Sequence, residues 1–187
     1  MRNVKGTLFA DYVRMIRRHK EVDWSRHLEP GDLAFLEAKV DPSGWYPMTT
    51  FERLGDAILH EVAKGELDAV RLWGRLSCDA LRFEFPTLVA DGDPVDTLRR
   101  FRVIRSTFFD FEALEVPALH DDHASIVIHY HMGATAEEAA SYQTMGFFER
   151  ILEIAGSTSV DARFLERSWA GDRTTLLSLD WRTAASD

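Results

Sequence analysis

Histidines are concentrated in one short stretch of the chain, residues 120–131. Four of the seven histidines lie there beside two aspartates: His120, Asp121, Asp122, His123, His129 and His131. Imidazole and carboxylate groups bind Zn²⁺ and Fe²⁺, and two side chains that are two residues apart on a strand project from one face, about 7 Å apart. The spacing therefore predicts a candidate metal site at His129 and His131, with a third ligand from residues 120–123.

The same histidines fit two other interpretations. Imidazoles on the exposed face of a strand titrate in solvent, and imidazoles at the rim of a pocket can hydrogen-bond a ligand. Because no third ligand is fixed in register with His129 and His131, we favour the solvent-facing interpretation over the metal site. We therefore predict no resident cofactor and keep Zn or Fe as the alternative.

Motifs for covalent or phosphate chemistry are absent from the sequence. There is no Gly-x-Ser-x-Gly elbow, no Walker-type phosphate loop and no Gly-x-Gly-x-x-Gly. Cys78 lies in an apolar helical stretch, which is typical of a buried small side chain rather than of a nucleophile. These absences favour a non-enzymatic protein.

The composition indicates a cytoplasmic protein that does not bind nucleic acids. The 187 residues are 45% hydrophobic and carry a net charge of −9, whereas a phosphate backbone requires a positive face. The single cysteine cannot form an internal disulfide, and no apolar run approaches the roughly 20 residues of a membrane span. The N-terminus also lacks the apolar segment of a signal peptide. We therefore expect no membrane partner.

The spacing of apolar residues changes from helical to strand-like near residue 110, shortly before the histidines. Apolar residues recur at helical spacing through residues 1–110, and they alternate at strand spacing in residues 113–117 and 125–132. A capping box at Thr135 and Glu138 opens a helical pattern that reaches residue 156, and two strand patterns follow, at residues 160–169 and 174–181. We predict a single α+β domain over residues 1–187, helical in 1–110 and strand–helix–hairpin in 111–182. Its antiparallel sheet packs against a long helix.

Aromatic and apolar side chains next to these elements could line a pocket for a small molecule. Trp45 belongs to the stretch 41–47, which we interpret as a rigid turn whose aromatic residues more often anchor it to the core than line a pocket. Tyr130 lies on the strand, and Met145 and Phe148 lie on the apolar stripe of the long helix. Such a stripe is usually core, but it can also form the wall of a cavity beside the sheet. We name Tyr130, Met145, Phe148 and Trp45 as candidate ligand-binding residues. An exposed edge strand in the terminal hairpin also allows a homodimer.

Several short stretches resemble a known family. The segments 4–9, 126–133 and 146–152, which read Val-Lys-Gly-Thr-Leu-Phe, Ile-Val-Ile-His-Tyr-His-Met-Gly and Gly-Phe-Phe-Glu-Arg-Ile-Leu, resemble the heme nitric-oxide/oxygen-binding (H-NOX) domains. The whole chain also resembles a family of myxobacterial paralogues, through segments 4–6, 45–47 and 146–150. Those paralogues look like H-NOX and 4-vinyl reductase domains in architecture. The resemblance implies an H-NOX-like α+β fold and a sensory role.

The sequence departs from the H-NOX pattern at the residues that would hold heme. In the Tyr-x-Ser-x-Arg motif of H-NOX domains, Ser and Arg bind the heme propionates, whereas Met132 and Ala134 follow Tyr130 here. The resemblance also implies an axial histidine near residues 100–112, which contain none. The cysteines that 4-vinyl reductase domains often carry near the terminal hairpin are missing as well. The resemblance thus implies the fold and disfavours heme.

Three functions follow from these observations. We favour a sensory or adaptor domain without enzymatic activity and without heme, which binds a small apolar ligand or a signalling protein. The first alternative is a metal-binding protein or a metal-dependent enzyme that uses His129 and His131. The second alternative is a heme-based gas sensor in which His120 or His123 is a substituted axial ligand.

Overall fold

The computed structural model describes residues 2–183, which divide into two compact units. The first unit contains the described residues up to Leu67 together with Ser106–Glu112, and the second contains Asp68–Arg105 and the described residues from Ala113 onward. Within residues 2–183, no helix is both long and apolar enough to cross a membrane. The single-domain organisation stays a prediction, and the two units are described separately.

The first unit combines three helices with a two-stranded sheet. Its elements in chain order are β1 (Asn3–Lys5), α1 (Gly6–Arg18), a 3-10 turn (Trp24–Arg26), α2 (Pro30–Glu37), β2 (Trp45–Pro47) and α3 (Met48–Glu61). Strands β1 and β2 are antiparallel, with Val4 opposite Tyr46. Helix α1 follows β1 without a loop, and a Cβ at its first residue, Gly6, would overlap the carbonyl oxygen of Asp41. Only glycine fits at this position because the two backbones are in contact.

The interpretation of residues 41–47 as a rigid turn holds only for the first part of the stretch, where the backbone N–H of Gly44 donates to the carbonyl of Asp41 at 3.0 Å. It is wrong for Trp45–Pro47, which form strand β2. The ring of Tyr46 stacks on that of Phe9 at 4.4 Å between centroids, and the Tyr46 hydroxyl accepts the backbone N–H of Asp41 at 2.8 Å. Tyr46 therefore anchors this segment to the core, as the sequence predicts, whereas Trp45 is exposed. The pairing partner of that segment is β1, which lies about forty residues earlier and which local spacing does not reveal.

The second unit holds a four-stranded antiparallel sheet and three helices. Its elements are α4 (Leu67–Glu84, in this unit from its second residue), α5 (Pro94–Ile104), β3 (Leu114–Leu119), β4 (His123–Ile128), α6 (Ala134–Ile154), β5 (Ser157–Glu166) and β6 (Thr175–Thr183). The strand order is β3-β4-β6-β5, so β4 and β6 are central. The predicted α+β fold, with a long helix and an antiparallel sheet, is confirmed.

The core of the second unit is formed by one face of the sheet and the apolar stripe of α6. The fully buried side chains include Ile126 and Ile128 of β4, Leu177 and Leu179 of β6, and Phe148 of α6. The alternation of Ile126 and Ile128 with more exposed residues is the strand periodicity that the sequence predicts. Phe148 makes an edge-to-face contact with Phe101 of α5, with 4.9 Å between ring centroids.

Helices α4 and α6 approach each other closely at two glycines. A Cβ at Gly74 would overlap the carbonyl oxygen of Gln143, and a Cβ at Gly146 would overlap that of Arg71. Charged side chains flank this contact, with Arg71 donating to Glu149 at 2.9 Å, Arg75 to Glu153 at 2.6 Å and Arg150 to Asp79 at 3.0 Å. The contact between the two helices is therefore fixed by backbone proximity at its centre and by ion pairs around it.

Candidate functional site

Strand β4 ends earlier than its sequence pattern predicts. The alternation reaches Met132, but the strand stops at Ile128, because His131 has a left-handed backbone with φ of +58°. A residue in this conformation cannot continue a strand, and the conformation is uncommon outside glycine. The chain therefore turns sharply between Tyr130 and Gly133 before α6 begins. We call residues 129–133 the histidine turn.

The backbone of the histidine turn is held by a buried carboxylate. Glu137, which is only 5% exposed, accepts the backbone N–H of Met132 at 2.8 Å and that of Tyr130 at 3.3 Å. The predicted capping box at Thr135 and Glu138 is wrong, because α6 begins at Ala134 and its N-cap residue is Gly133, which has no side chain that could cap the helix. The glutamate one position earlier stabilises the turn instead of capping the helix.

The hydroxyl of Tyr130 is buried and hydrogen-bonded. It lies 2.6 Å from Oγ1 of Thr144, which in turn donates to the carbonyl oxygen of Ala140 at 2.8 Å. Because Thr144 has only one hydroxyl proton, Tyr130 is the donor of the pair. Burial raises the pKa of the Tyr130 hydroxyl, and the Thr144 contact opposes this rise only in part. Tyr130 is therefore a neutral structural donor that fastens the strand end to α6.

A pocket of about 230 Å³ opens beside the histidine turn. One wall comes from the turn and from the start of α6, and the other comes from the connection between β5 and β6. The lining residues are Ile128, His129, His131, Met132, Ala134, Glu137, Ser168, Trp169, Arg173 and Thr174. Two elements that are distant in the sequence thus face a common space. We call this space the turn pocket.

The connection between β5 and β6 is built around an aromatic cluster. Trp169 lies in a short 3-10 turn, Ser168–Ala170, and makes an edge-to-face contact with Phe164, with 5.1 Å between ring centroids. The ring of Tyr142, on α6, lies 6.4 Å from that of Trp169. Gly171 closes the turn with φ of +104°, a conformation that requires glycine. These contacts fix the indole ring at one wall of the turn pocket.

The rings of His129 and His131 lie close together, although both residues are in the histidine turn and not on the strand that the sequence predicts. Their rings stack with 5.8 Å between centroids and 17° between ring planes. Nε2 of His129 also lies 3.3 Å from Oε1 of Glu115, on the neighbouring strand β3. The pair therefore has an adjacent carboxylate, and both imidazoles line the turn pocket.

His120 and His123 lie at the opposite end of β4 from this pair. Nδ1 of His123 is 2.9 Å from Oδ1 of Asp180, and its Nε2 is 3.3 Å from the hydroxyl of Ser125. His120 is exposed and belongs to the turn between β3 and β4, where its backbone N–H donates to the carbonyl of His123 at 2.7 Å. Six strand residues separate the two pairs by about 20 Å, so the four imidazoles do not surround one point.

The four candidate ligand-binding residues are in different environments. Tyr130, Met145 and Phe148 are buried in the second unit and are not part of the lining of the turn pocket. Trp45 belongs to the first unit, where it is 45% exposed and Lys5 Nζ lies 4.5 Å above its ring. Their role in ligand binding stays a prediction.

Sequence reasoning did not identify Trp169 and Arg173 as pocket residues. Both lie in the connection between β5 and β6. The predicted strand 160–169 includes Trp169, but β5 ends at Glu166, and the sequence predicts only a turn between the two strands. An aromatic residue and an arginine in one short turn are a weak indication of a binding loop. Nothing in the spacing shows that this loop faces the histidine turn.

No protein-family model matches this sequence, and no curated protein matches it either. Among solved structures, the chain is similar to the Fe(II) unliganded H-NOX protein from K. algicida, with a TM-score of 0.66, 11% identity and coverage of 98% of this chain and 99% of that chain. An H-NOX protein from S. oneidensis in the Fe(II)NO ligation state has a TM-score of 0.63 and 8% identity, covering 96% of this chain and 99% of that chain.

The oxygen complex of an H-NOX domain related to soluble guanylate cyclases is also similar. Its TM-score is 0.62 at 12% identity, with coverage of 98% of this chain and 97% of that chain. At such low identities these likenesses show the fold alone. The chain therefore has an H-NOX-like α+β fold, as its resemblance to H-NOX sequences implies.

Proposed function

We propose that this protein is a non-enzymatic sensory or adaptor domain that works without heme and binds a small amphipathic ligand in the turn pocket. The observation that carries the proposal is the pocket itself, which lies between the histidine turn and the β5–β6 connection. Its volume of about 230 Å³ is below the roughly 300 Å³ at which pockets for drug-sized molecules begin. A small metabolite is the ligand class that fits.

The lining of the turn pocket supports an amphipathic ligand. Ile128, Met132 and the indole ring of Trp169 offer apolar surface. His129 and His131 offer ring nitrogens for hydrogen bonds, and the guanidinium of Arg173 offers hydrogen-bond donors and positive charge. A ligand with a flat apolar body and a carboxylate or similar acceptor would match both parts. The lining has no nucleophile activated by a base, which supports binding rather than catalysis.

The residues of the histidine turn do not fit heme in the H-NOX manner. Met132 and Ala134 stand where the resemblance places the Ser and Arg that bind propionates, and neither side chain can donate a hydrogen bond. The backbone N–H groups of Tyr130 and Met132 are already bound by the carboxylate of Glu137. A heme propionate at this turn would bring a second negative charge next to a buried carboxylate, which is unfavourable.

Heme-based gas sensing is the second candidate function, because the solved structures of similar fold are H-NOX proteins, one of them an oxygen complex. His120 and His123 are the substitute axial ligands that the sequence offers. Both ring nitrogens of His123 already have partners, Asp180 and Ser125. His120 is exposed, whereas an axial heme ligand needs an apolar pocket around the porphyrin. These contacts support the heme-free proposal over the gas sensor.

The metal alternative at His129 and His131 is supported by the stacked rings and by Glu115 near His129. Elemental analysis of protein purified without a histidine tag separates the two proposals. Less than about a tenth of an equivalent of Zn or Fe would argue against a tightly bound structural metal. An equivalent of metal that is lost in the double variant His129→Ala/His131→Ala would replace the ligand proposal by the metal one.

The ligand proposal is tested by binding of small aromatic carboxylates and their methyl esters. Chemical-shift changes in ¹H–¹⁵N spectra and shifts in melting temperature are measured for the full chain. We expect a carboxylate to bind and its ester to bind at least tenfold more weakly, because the ester lacks the charge that Arg173 recognises. Arg173→Ala should weaken binding, whereas Arg182→Ala, which changes an exposed arginine outside the pocket, should not. Binding that is equal in all three proteins would remove the proposed site.

Other predictions from the sequence also remain proposals. They are the kinship with myxobacterial paralogues and 4-vinyl reductase domains, a cytoplasmic location, a signalling protein as partner and a homodimer. The homodimer is supported by β5, which is an edge strand of the sheet and carries the exposed Leu165. Light scattering of the wild type and of Leu165→Lys tests the homodimer, because a charge on an edge strand opposes pairing. A monomeric wild type would exclude it.

A further inference from the structure

We infer that His27, His60 and Glu61 form a binding site for one divalent transition-metal ion of the Zn²⁺ type. Within residues 2–183, this is the group of three histidine, cysteine or acidic side chains whose ligand atoms all lie within 4.8 Å of one another. The group belongs to the first unit and shares no residue with the turn pocket. It is independent of the proposed ligand binding.

The two imidazoles converge on a single carboxylate oxygen. Nε2 of His27 lies 2.7 Å from Oε1 of Glu61, and Nδ1 of His60 lies 3.1 Å from the same atom. Their ring centroids are 5.1 Å apart. In a tetrahedral zinc site with metal–ligand bonds of about 2.0–2.2 Å, neighbouring ligand atoms are about 3.3–3.5 Å apart. To make room for the ion, the His27–Glu61 contact would have to lengthen by about 0.6–0.8 Å and the His60–Glu61 contact by about 0.2–0.4 Å.

The chemistry of the three ligands selects a transition metal. Two imidazole nitrogens and one carboxylate oxygen suit Zn²⁺, Co²⁺ or Ni²⁺, whereas Mg²⁺ and Ca²⁺ prefer oxygen ligands alone. Three protein ligands leave a fourth position for water. That position can be reached from solvent, because His60 is 72% exposed while His27 and Glu61 are 23% and 22% exposed.

The backbone positions of the ligands are fixed by regular structure on both sides. His60 and Glu61 are the last two residues of α3, so they sit on a rigid helix end. His27 directly follows the 3-10 turn Trp24–Arg26, where the buried Trp24 donates its indole N–H to the carbonyl of His19 at 3.0 Å. Two preformed ligand positions reduce the ordering that an ion must impose.

The electrostatic environment of Glu61 also favours a cation. The C-terminal end of a helix carries partial negative charge, so an acidic residue in the last turn of α3 is unfavourable on its own. A divalent cation at Oε1 would reverse this effect. The other carboxylate oxygen, Oε2, is 3.4 Å from Nζ of Lys64, which leaves Oε1 as the metal ligand.

The test is a titration of Zn²⁺ into the full chain, purified without a histidine tag and stripped with a chelator. We expect one equivalent to bind with a Kd below about 10 µM, and Co²⁺ to give the visible absorption of a four-coordinate site. The variants are Glu61→Gln, which keeps the shape of the side chain, and His27→Gln/His60→Gln. Each should weaken binding at least tenfold while the circular dichroism spectrum stays the same.

The matched control is the double variant His129→Ala/His131→Ala, which removes the same number of imidazoles from the second unit. It should bind Zn²⁺ like the wild type. Wild-type affinity in Glu61→Gln, or loss of the ion in the control variant instead, would overturn the inference. Because Glu61→Gln keeps the volume and both histidines, its affinity decides the question even if the double His27→Gln/His60→Gln variant fails to fold.

Discussion

Helix α6 and the histidine turn that precedes it differ in how closely they follow the H-NOX pattern. In α6, the residues that carry the resemblance all serve packing: Gly146 touches α4, Phe148 is in the core, and Glu149 and Arg150 form ion pairs with α4. In the turn, Met132 and Ala134 stand where the sequence resemblance places the Ser and Arg of the H-NOX motif. A short resemblance can therefore preserve a scaffold while the chemistry next to it changes.

The two regions also differ in how their polar groups are satisfied. Glu149, Arg150 and Glu153, in the second half of α6, are paired with charged side chains of α4 across a closed interface. In the turn, one buried carboxylate, Glu137, binds the backbone, and the imidazoles of His129 and His131 face an open pocket. Substitutions in α4 and α6 should therefore change folding, and substitutions at the pocket should change binding with little effect on folding.

The largest effect is expected for the reactivity of Cys78, a buried residue of α4, when the folded and the unfolded protein are compared. Burial raises the pKa of this thiol from 9.0 to about 12, and the neighbouring Asp79 adds to the effect. Since only the thiolate reacts, a rise of three pH units lowers the reactive fraction at pH 9 or below by about a thousandfold. Labelling with iodoacetamide at pH 8.5 should be slow in the folded protein and fast in urea. Rapid labelling of the folded protein would show that the Cys78 thiol is not buried against its neighbours.

The next effect is the loss of stability in Gly146→Ala. The added Cβ would overlap the carbonyl oxygen of Arg71, and backbone cannot move aside as a flexible side chain can. We expect the free energy of unfolding to fall by about 3 kcal/mol or more, measured by urea denaturation. Gly31→Ala is the control, because no atom lies within 4 Å of a Cβ there and alanine favours the helix by about 0.5–1 kcal/mol. Equal stability of the two variants would contradict the close contact of α4 and α6.

A smaller effect is expected for Glu137→Gln, at the junction of the two regions. An amide can still accept one backbone N–H, but it loses the charge that strengthens both hydrogen bonds. The free energy of unfolding should fall by about 1–2 kcal/mol. Glu138→Gln, one residue further along α6, should change it by less than about 0.5 kcal/mol. If both substitutions had the same small effect, Glu137 would not be what holds the histidine turn.

The smallest effect on stability is expected at the pocket itself. Arg173 is exposed in the loop before β6, so Arg173→Ala should change the free energy of unfolding by less than about 0.5 kcal/mol. The same substitution should weaken binding of an aromatic carboxylate at least tenfold. A large fall in the free energy of unfolding would show that Arg173 is needed for folding. Substitutions at the turn pocket would then not differ from those in α4 and α6.

The sequence predicts the scaffold better than the site, for a physical reason. Helices and strands follow from the local spacing of apolar residues, so the sequence predicts α6 and the apolar faces of β4 and β6. The early end of β4 was not, because the left-handed conformation of His131 is stabilised by contacts with Glu137 that depend on the folded turn. Trp169 and Arg173 were missed because the loop that carries them meets the histidine turn only through the strand order of the sheet.

The histidines show the same limit of local patterns. The rings of His129 and His131 are close, but strand alternation is not the cause, because β4 ends at Ile128 and the histidine turn brings the two rings together. His27 and His60 were not considered together, since they lie on different elements and only the fold brings them to Glu61. The sequence alone therefore indicates the pair His129 and His131, which lines the turn pocket. The cluster of His27, His60 and Glu61 becomes visible only in the folded chain.

The most direct test of the central claim is a titration of the full chain with hemin, followed by its absorption spectrum. Because Glu137 holds the turn where propionates would bind, the spectrum should rise as that of free hemin does, with no Soret band that saturates at one equivalent. A sharp Soret band that saturates at one equivalent would contradict the account. It would show that this chain holds heme by residues other than those of the H-NOX pattern.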